Sequence, residues 1–263
     1  MLVLAVATAC QTGPSAPPTS APEPPGPAQA RETGEEECRR VGRLLGLDGL
    51  ARELEARSAD PRDVAEAYAA RAPAGQRDPR LRGCLAGVNA VLAMEEEEAR
   101  LGPVAEEAAQ RSKCTEIVRT PSEGQSHIRE GEPPPEYRTI PAASGPHRPN
   151  VLPPEVSVYH EPVDESTAVH NLEHAYVLLY YRPVEPTVAP EIVGMLEGLA
   201  REFDKVIVAP HAGLPEEVGL ATVAWRRLQR CPPSIDAADA EAVARSFVLR
   251  FAATDVAPEP LGP

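Results

Sequence analysis

Aromatic residues make up only 4% of this 263-residue chain, and they are unevenly spread. Five of the six Tyr, the single Trp and all three Phe lie after residue 136, which places the better-packed core in the C-terminal half. Basic charge is also scarce: 26 Lys and Arg stand against 40 Asp and Glu, for a net charge of −14. A surface that tracks a phosphate backbone needs a basic face, and none is visible, so nucleic acid is not an expected partner. An acidic surface mainly keeps a chain soluble. The opening run "MLVLAVATAC" is apolar but too short to span a bilayer, which takes about 20 residues. Methionine is rare, with Met94 and Met195 the only two beyond the first residue, so thioether ligation of a metal is poorly supplied. Residues 33–112 contain no His and no catalytic constellation.

What is present begins at the N-terminus. Residues 1–10 read as the tail of a secretory apolar region ahead of a cleavage site, and "ATAC" resembles a bacterial lipobox in which Cys10 is lipidated. Ala7 stands where a Leu is usual, and no basic segment precedes the run. Residues 11–32 contain "TGPSAPPTSAPEPPGPAQA", a Pro-rich disordered tether that cannot bury a core. Together they predict a lipoprotein anchored to a membrane on the periplasmic side or at the cell surface. Cys38, Cys84, Cys114 and Cys231 remain, and four Cys in an exported protein suggest two disulfides out of three pairings. Cys38 and Cys84 belong to one region and Cys114 and Cys231 to the next, so the expected bonds are Cys38–Cys84 and Cys114–Cys231.

Residues 33–112 read as a small helical domain. Val41, Leu44, Leu45, Leu50 and Leu54 recur at helical spacing, as do Leu81, Cys84, Leu85, Val88 and Leu92. Asp60 followed by Pro61 is a helix start, and the polar "EEEEARLGPVAEEAAQR" closes the region. The run Glu95–Glu98 reads as a solvated face. Its protein partner, if it has one, is not encoded legibly.

Residues 113–260 read as a His-rich α+β domain, sandwich-like, with the order β-β-α-β-β-α and helices mainly on one sheet face. Its first part, 113–152, holds too many Pro and Gly for regular structure. Strands are then expected at "EVSVYHE", "HAYVLLYY", "KVIVAP" and "EVGLATVAW". A helix follows the second strand, with Ile192, Met195, Leu196, Leu199 and Phe203 on one stripe. A last helix starts at Asp236 and turns Ala240, Val243, Phe247 and Phe251 inward.

All six His fall between residues 127 and 211: His127, His147, His160, His170, His174 and His211. Each stands at a loop or strand end, where segments converge, and neutral imidazole is the commonest metal ligand. With the Cys committed to disulfides, an imidazole site for copper or zinc is expected, built from His127, His147, His170, His174 and His211 with Glu173. "HNLEH", residues 170–174, also fits H-x-x-E-H, a metallopeptidase pattern that requires a helix, with Glu173 as general base. The strand-forming "AYVLLYY" behind it opposes that, because in a strand the two His stand about 13 Å apart.

"YRTIPAASGPH" (137–147), "HNLEHAYVLLYYRP" and "VIVAPHAGLPEEVGLATVAWRRL" resemble the bacterial family called domain of unknown function 3105. That family typically shows P-P-T-S-G-P-H, then H-N-L-E-H-G before a strand, a V-x-x-P segment, A-W-G and a closing P-E, here Pro258-Glu259. The resemblance spans about residues 114–260. Ala142 replaces Pro, and Ala175 and Arg226 replace Gly; no His is lost. The resemblance implies an exported or membrane-anchored protein and no established activity. Three readings follow: a copper- or zinc-binding module, a zinc hydrolase using Glu173, and a metal-free structural or interaction lipoprotein.

Overall fold

A computed structural model describes residues 26–129, 131–260 and 262. Cys10, residues 1–10 and all but the end of the stretch read as a tether lie outside the described residues. The elements in chain order are α1 (Pro27–Leu54), α2 (Pro61–Ala70), α3 (Arg77–Arg111), β1 (Val118–Arg119), α4 (Glu165–Glu173), β2 (Val177–Tyr181), α5 (Pro190–Glu202), β3 (Val206–Pro210), β4 (Leu220–Ala224), β5 (Arg227–Cys231) and α6 (Ala237–Phe251). The chain is α+β, with a helical N-terminal region leading into a five-stranded mixed sheet. Among the described residues no helix is long and apolar enough to cross a membrane.

The helical region is built on close backbone contact. The first helix begins at Pro27, inside the stretch read as tether, because Pro is well suited to the first helical position and Ala30 then packs fully buried. It breaks at Gly46, whose φ of 66° admits no helix. Helices α1 and α3 meet along glycines: a Cβ on Gly83 would lie 2.0 Å from the Arg31 carbonyl oxygen, and one on Gly87 would lie 2.2 Å from that of Glu35. The Cys38–Cys84 disulfide crosses this contact. Asp60 caps α2, accepting a hydrogen bond from the Arg62 amide.

The polar stretch expected to end the helical region instead continues as one helix through Pro103 to Arg111. Its last turns are held by tertiary packing: Ala108 and Ala109 join the core beneath α5 and α6. At its end, Arg111 Nη2 (2.5 Å) and Ser112 Oγ (2.6 Å) donate to Asp239 near the start of α6. Arg245 of α6 donates to Glu97 of α3 and Glu202 of α5, and Arg43 of α1 donates to the carbonyls of Leu249 and Ala252. The second disulfide, Cys114–Cys231, joins the chain after α3 to the end of β5.

The sheet order is β1-β5-β4-β2-β3. β2 and β3 are parallel, linked by α5, and the other pairs are antiparallel. Both faces are covered, so the strands read as apolar runs. Val177 and Leu179 of β2 face a core with α5 and α6, while Leu178 and Tyr180 face α4 and the loop-rich segment around Ala142 and Leu152. The alternation is the two-residue period of a strand. Three short elements escaped the sequence reading: β1, inside the segment read as irregular, β5, which is polar in "RLQRC", and α4. The strand expected at "EVSVYHE" is reduced to one bridge, Val158 to Val208. Proline on both sides, at 154 and 162, limits further pairing there.

The glycine contact generates a test. Gly83→Ala is expected to lower stability by about 1–3 kcal/mol, because a backbone has to move to admit the methyl group. Gly194→Ala in α5, where nothing lies within 4 Å, is expected to raise stability by about 0.5–1 kcal/mol through helix propensity. Thermal unfolding of both variants against the unaltered chain measures the difference.

Candidate metal centre

Helix α4 carries the centre. Asp164 caps it, accepting from the Thr167 amide at 2.8 Å, and its apolar face, Ala168, Val169 and Leu172, is buried on the sheet. The helix ends at His174, so His170 and Glu173 occupy its last turn and His174 its cap. "HNLEH" is therefore helical, and the strand starts only at Val177. Ala175 makes the reversal between them with φ 64°, a left-handed conformation that costs a residue with a side chain about 1–2 kcal/mol. This explains why glycine suits the position.

Two loop segments complete the site. The chain at 126–128 pairs in parallel with His147: the His147 amide donates to Ser126 O at 3.0 Å and the Ile128 amide to His147 O at 2.7 Å. That pairing brings His127 beside His147, with ring centroids 5.2 Å apart. Between the loop at 150–152 and α4 stands Asn171, fully buried, whose Oδ1 accepts from the Leu152 amide while Nδ2 donates to Leu152 O. The sequence reading passed over Asn171; its signal was a short polar residue between His170 and the apolar Leu172.

One ligand atom from each of His127, His147, His170 and Glu173 lies within 4.8 Å of all the others. Three of these residues are buried, and His127 is the exposed one on the solvent side. His174 adjoins the group, its Nε2 3.0 Å from His170 Nε2. His211 does not join it: its Nε2 faces Glu165 Oε1 at 3.1 Å and its ring packs edge-on to Tyr180. The β3 strand that ends at Pro210 delivers His211 to the N-terminal end of α4, whereas the centre is at the C-terminal end. His160 is exposed, 3.7 Å from Glu197.

Tautomers are set by backbone carbonyls. His147 Nδ1 lies 2.9 Å from Gly145 O, His170 Nδ1 3.2 Å from Asn150 O, and His174 Nδ1 2.9 Å from Glu259 O. A carbonyl only accepts, so each Nδ1 carries the proton, and in the neutral form of a ring the Nε2 turned inward is a bare lone pair. Lone pairs then face lone pairs: His147 Nε2 is 3.0 Å from Glu173 Oε2 and has no hydrogen-bond partner, and His170 Nε2 meets His174 Nε2. Such contacts repel unless a proton or a cation stands between. Burial, aided by the neighbouring imidazoles, holds the His147 and His170 pKa values below 6.5, which disfavours the proton. Burial and the nearby Glu259 raise that of Glu173 above 4.5.

The C-terminal tail closes the site. The Glu259 amide donates to Glu173 O at 3.0 Å. Lys205 Nζ donates to the carbonyls of His174, Pro260 and Gly262 at 2.8, 3.1 and 2.8 Å. The buried His/Glu group can hold a metal ion: a tetrahedral ion with bonds of ~2.0–2.1 Å spaces its donors roughly 3.3 Å apart, between the 3.0 Å contacts and the 4.8 Å limit.

The family described as "Protein of unknown function (DUF3105)" matches residues 127–262. The chain belongs to that family. The DUF3105 region contains His127, His147, His170, Glu173 and His174, and it contains the tail that binds His174. No curated protein and no solved structure matches the chain. Ala175 and Arg226, which depart from the glycines typical of DUF3105 chains, both have positive φ, 64° and 57°.

The lowered imidazole pKa values predict a pH dependence for chelator-treated protein. Below pH 6.5 the unfolded chain protonates these two His before the folded chain does, so stability falls as pH drops, by roughly 1.4 kcal/mol per pH unit for each proton. Glu173 acts in the opposite sense, since its raised pKa contributes stability that is lost as pH rises. Denaturant unfolding between pH 5 and 8 is expected to show a shallower slope for His147→Gln and a steeper one for Glu173→Gln.

Proposed function

We propose that this chain is an exported, membrane-tethered lipoprotein whose DUF3105 domain binds one copper or zinc ion through His127, His147, His170 and Glu173, with His174 as the adjoining imidazole. The observation that carries the reading is the inward set of Nε2 lone pairs, each fixed by an Nδ1–H bond to a carbonyl. Metal-ligating His commonly donates its other ring N–H in this way. Imidazole and carboxylate donors suit zinc or copper(II). Thiolate is absent from the donor set, because Cys38, Cys84, Cys114 and Cys231 are all in disulfides, and Met195 packs against the core. The disulfides also support an oxidising compartment, and the apolar run ending at Cys10 supports a lipid anchor.

Two other readings are less well supported. A metal-free structural role would have each His satisfied by local hydrogen bonds; the Nδ1 atoms of His147, His170 and His174 are satisfied, but His147 Nε2 is not. A zinc hydrolase finds its H-x-x-E-H pattern on a helix, as that class requires. However, Glu173 Oε2 is 3.0 Å from His147 Nε2, among the ligand atoms, where a general base needs room for a water.

Tag-free protein reconstituted separately with zinc and copper(II) is expected to retain about one ion per chain, and at a free metal concentration of 100 times Kd to gain about 2.7 kcal/mol in stability. His147→Gln and Glu173→Gln are each expected to weaken binding by tenfold or more, in line with the loss of a ligand. Elemental analysis after dialysis reads the stoichiometry, and a value below roughly 0.1 with both metals overturns the reading. Loss of turnover with retention of the ion in Glu173→Gln is the result that would favour the hydrolase instead.

A further inference from the structure

The chain has 40 acidic and 26 basic residues, so an arginine has carboxylates in excess to pair with. Four arginines around the β1–β5 edge have none. Among the described residues, Arg119, Arg226, Arg227 and Arg250 form no ion pair, which is true of most arginines of this chain; what sets these four apart is that they stand together, across one strand pair, around one cavity and over one ring. Three of the four wall a single cavity of about 340 Å³, together with Ser122 and Gln125. Asp255 also lines it and pairs with none of them.

Two features of the backbone put this charge together at a cost. Arg119 stands directly opposite Arg227 in the β1–β5 ladder, and like charges in that position destabilise a strand pair. Arg226, in the β4–β5 turn, has φ 57°, which glycine adopts freely and arginine does not. The hydrogen bonds these side chains do make go to carbonyls, from Arg226 Nε to Thr120 O and from Arg227 Nη1 to Arg226 O, both at 3.1 Å. Each uses one N–H of five and neutralises no charge. Phe251 lies under the guanidinium of Arg227 at 6.0 Å and that of Arg250 at 5.4 Å, which orients both without supplying an anion.

We propose that the cavity walled by Arg119, Arg226 and Arg227 binds a phosphate group. Guanidinium forks match the oxygens of phosphate in pairs, the hydroxyl of Ser122 and the amide of Gln125 add neutral donors, and the volume has room for such a group. The site shares no residue with the metal centre and stands or falls independently of it. A free phosphate ion and the headgroup of an anionic phospholipid present the same chemistry to it.

The test uses the full chain with chelator present, so that no metal bridges the anion. Calorimetric titration with inorganic phosphate at constant ionic strength is expected to saturate at about one site, and Arg227→Gln is expected to weaken it by about tenfold or more, as loss of a charge-assisted fork requires. Arg119 is exposed, so its variant will fold: Arg119→Gln is expected to raise the thermal midpoint without phosphate, by removing the like-charge pair, and to abolish the further rise that phosphate produces. Arg100→Gln, an exposed change of equal charge outside the cavity, is expected to change neither. Co-sedimentation with phosphatidylglycerol vesicles, compared with phosphatidylcholine vesicles, separates the sources. Arg119-dependent binding to the former without uptake of inorganic phosphate assigns the headgroup, and uptake of inorganic phosphate assigns the free ion. Failure of both, or equal weakening by Arg100→Gln, overturns the proposal.

Discussion

Three backbone carbonyls, of Gly145, Asn150 and Glu259, each take the Nδ1 proton of one imidazole, and the chemistry of the centre depends on that arrangement. A neutral imidazole has one donor and one acceptor. Once the donor is bound to a carbonyl, the acceptor direction is fixed, and here the acceptors of His147, His170 and His174 point toward one another and toward Glu173. Buried groups that repel in this way persist in a fold when something positive offsets them. The lowered imidazole pKa values disfavour a further proton on those rings, and the group they form can hold a cation.

The rest of the domain holds these carbonyls in place. Gly145 belongs to the segment that pairs with 126–128, Asn150 is positioned by the Asn171 bridge to Leu152, and Glu259 is on a tail fastened by Lys205. Each support ends on the backbone, from main chain at 126–128 and from the Asn171 and Lys205 side chains elsewhere. Beneath them, both faces of the sheet are covered, and α3 extends from the helical region into one of the two cores. The two disulfides fasten the same frame, one within the helical region and one between the chain after α3 and β5. The helical region is thereby part of the scaffold of the DUF3105 domain.

The departures from the DUF3105 pattern acquire a physical meaning in this frame. Ala175 reverses the chain between α4 and β2, and Arg226 turns β4 into β5, both with left-handed backbone. At Ala175 the side chain adds nothing but strain. At Arg226 it adds a third guanidinium to a cavity that already holds two, and the substitution has a consequence that a change to Ala would lack.

Periodicity determined the middles of the long helices and the three central strands, because a repeating apolar face reports directly on local conformation, and residue type determined the caps at Asp60 and Asp236. The Cys pairing was legible from which region each Cys occupied, and the His cluster from composition. Helix α4 was not legible: nine residues with His, Asn and Glu on the buried side give no apolar stripe, and the strand formers behind them misled. The end of α3 was misplaced because its polar turns are held by Asp239, far along the chain. Only the tertiary structure decided which imidazoles converge. His174 is oriented by a carbonyl 85 residues away and His170 by one 20 residues away, while His211, equally plausible in sequence, goes to the other end of α4. The arginine cavity was hidden for the same reason. Arg119 and Arg227 are distant in sequence and become neighbours through strand pairing, and in a chain so acidic no local run of charge announces them.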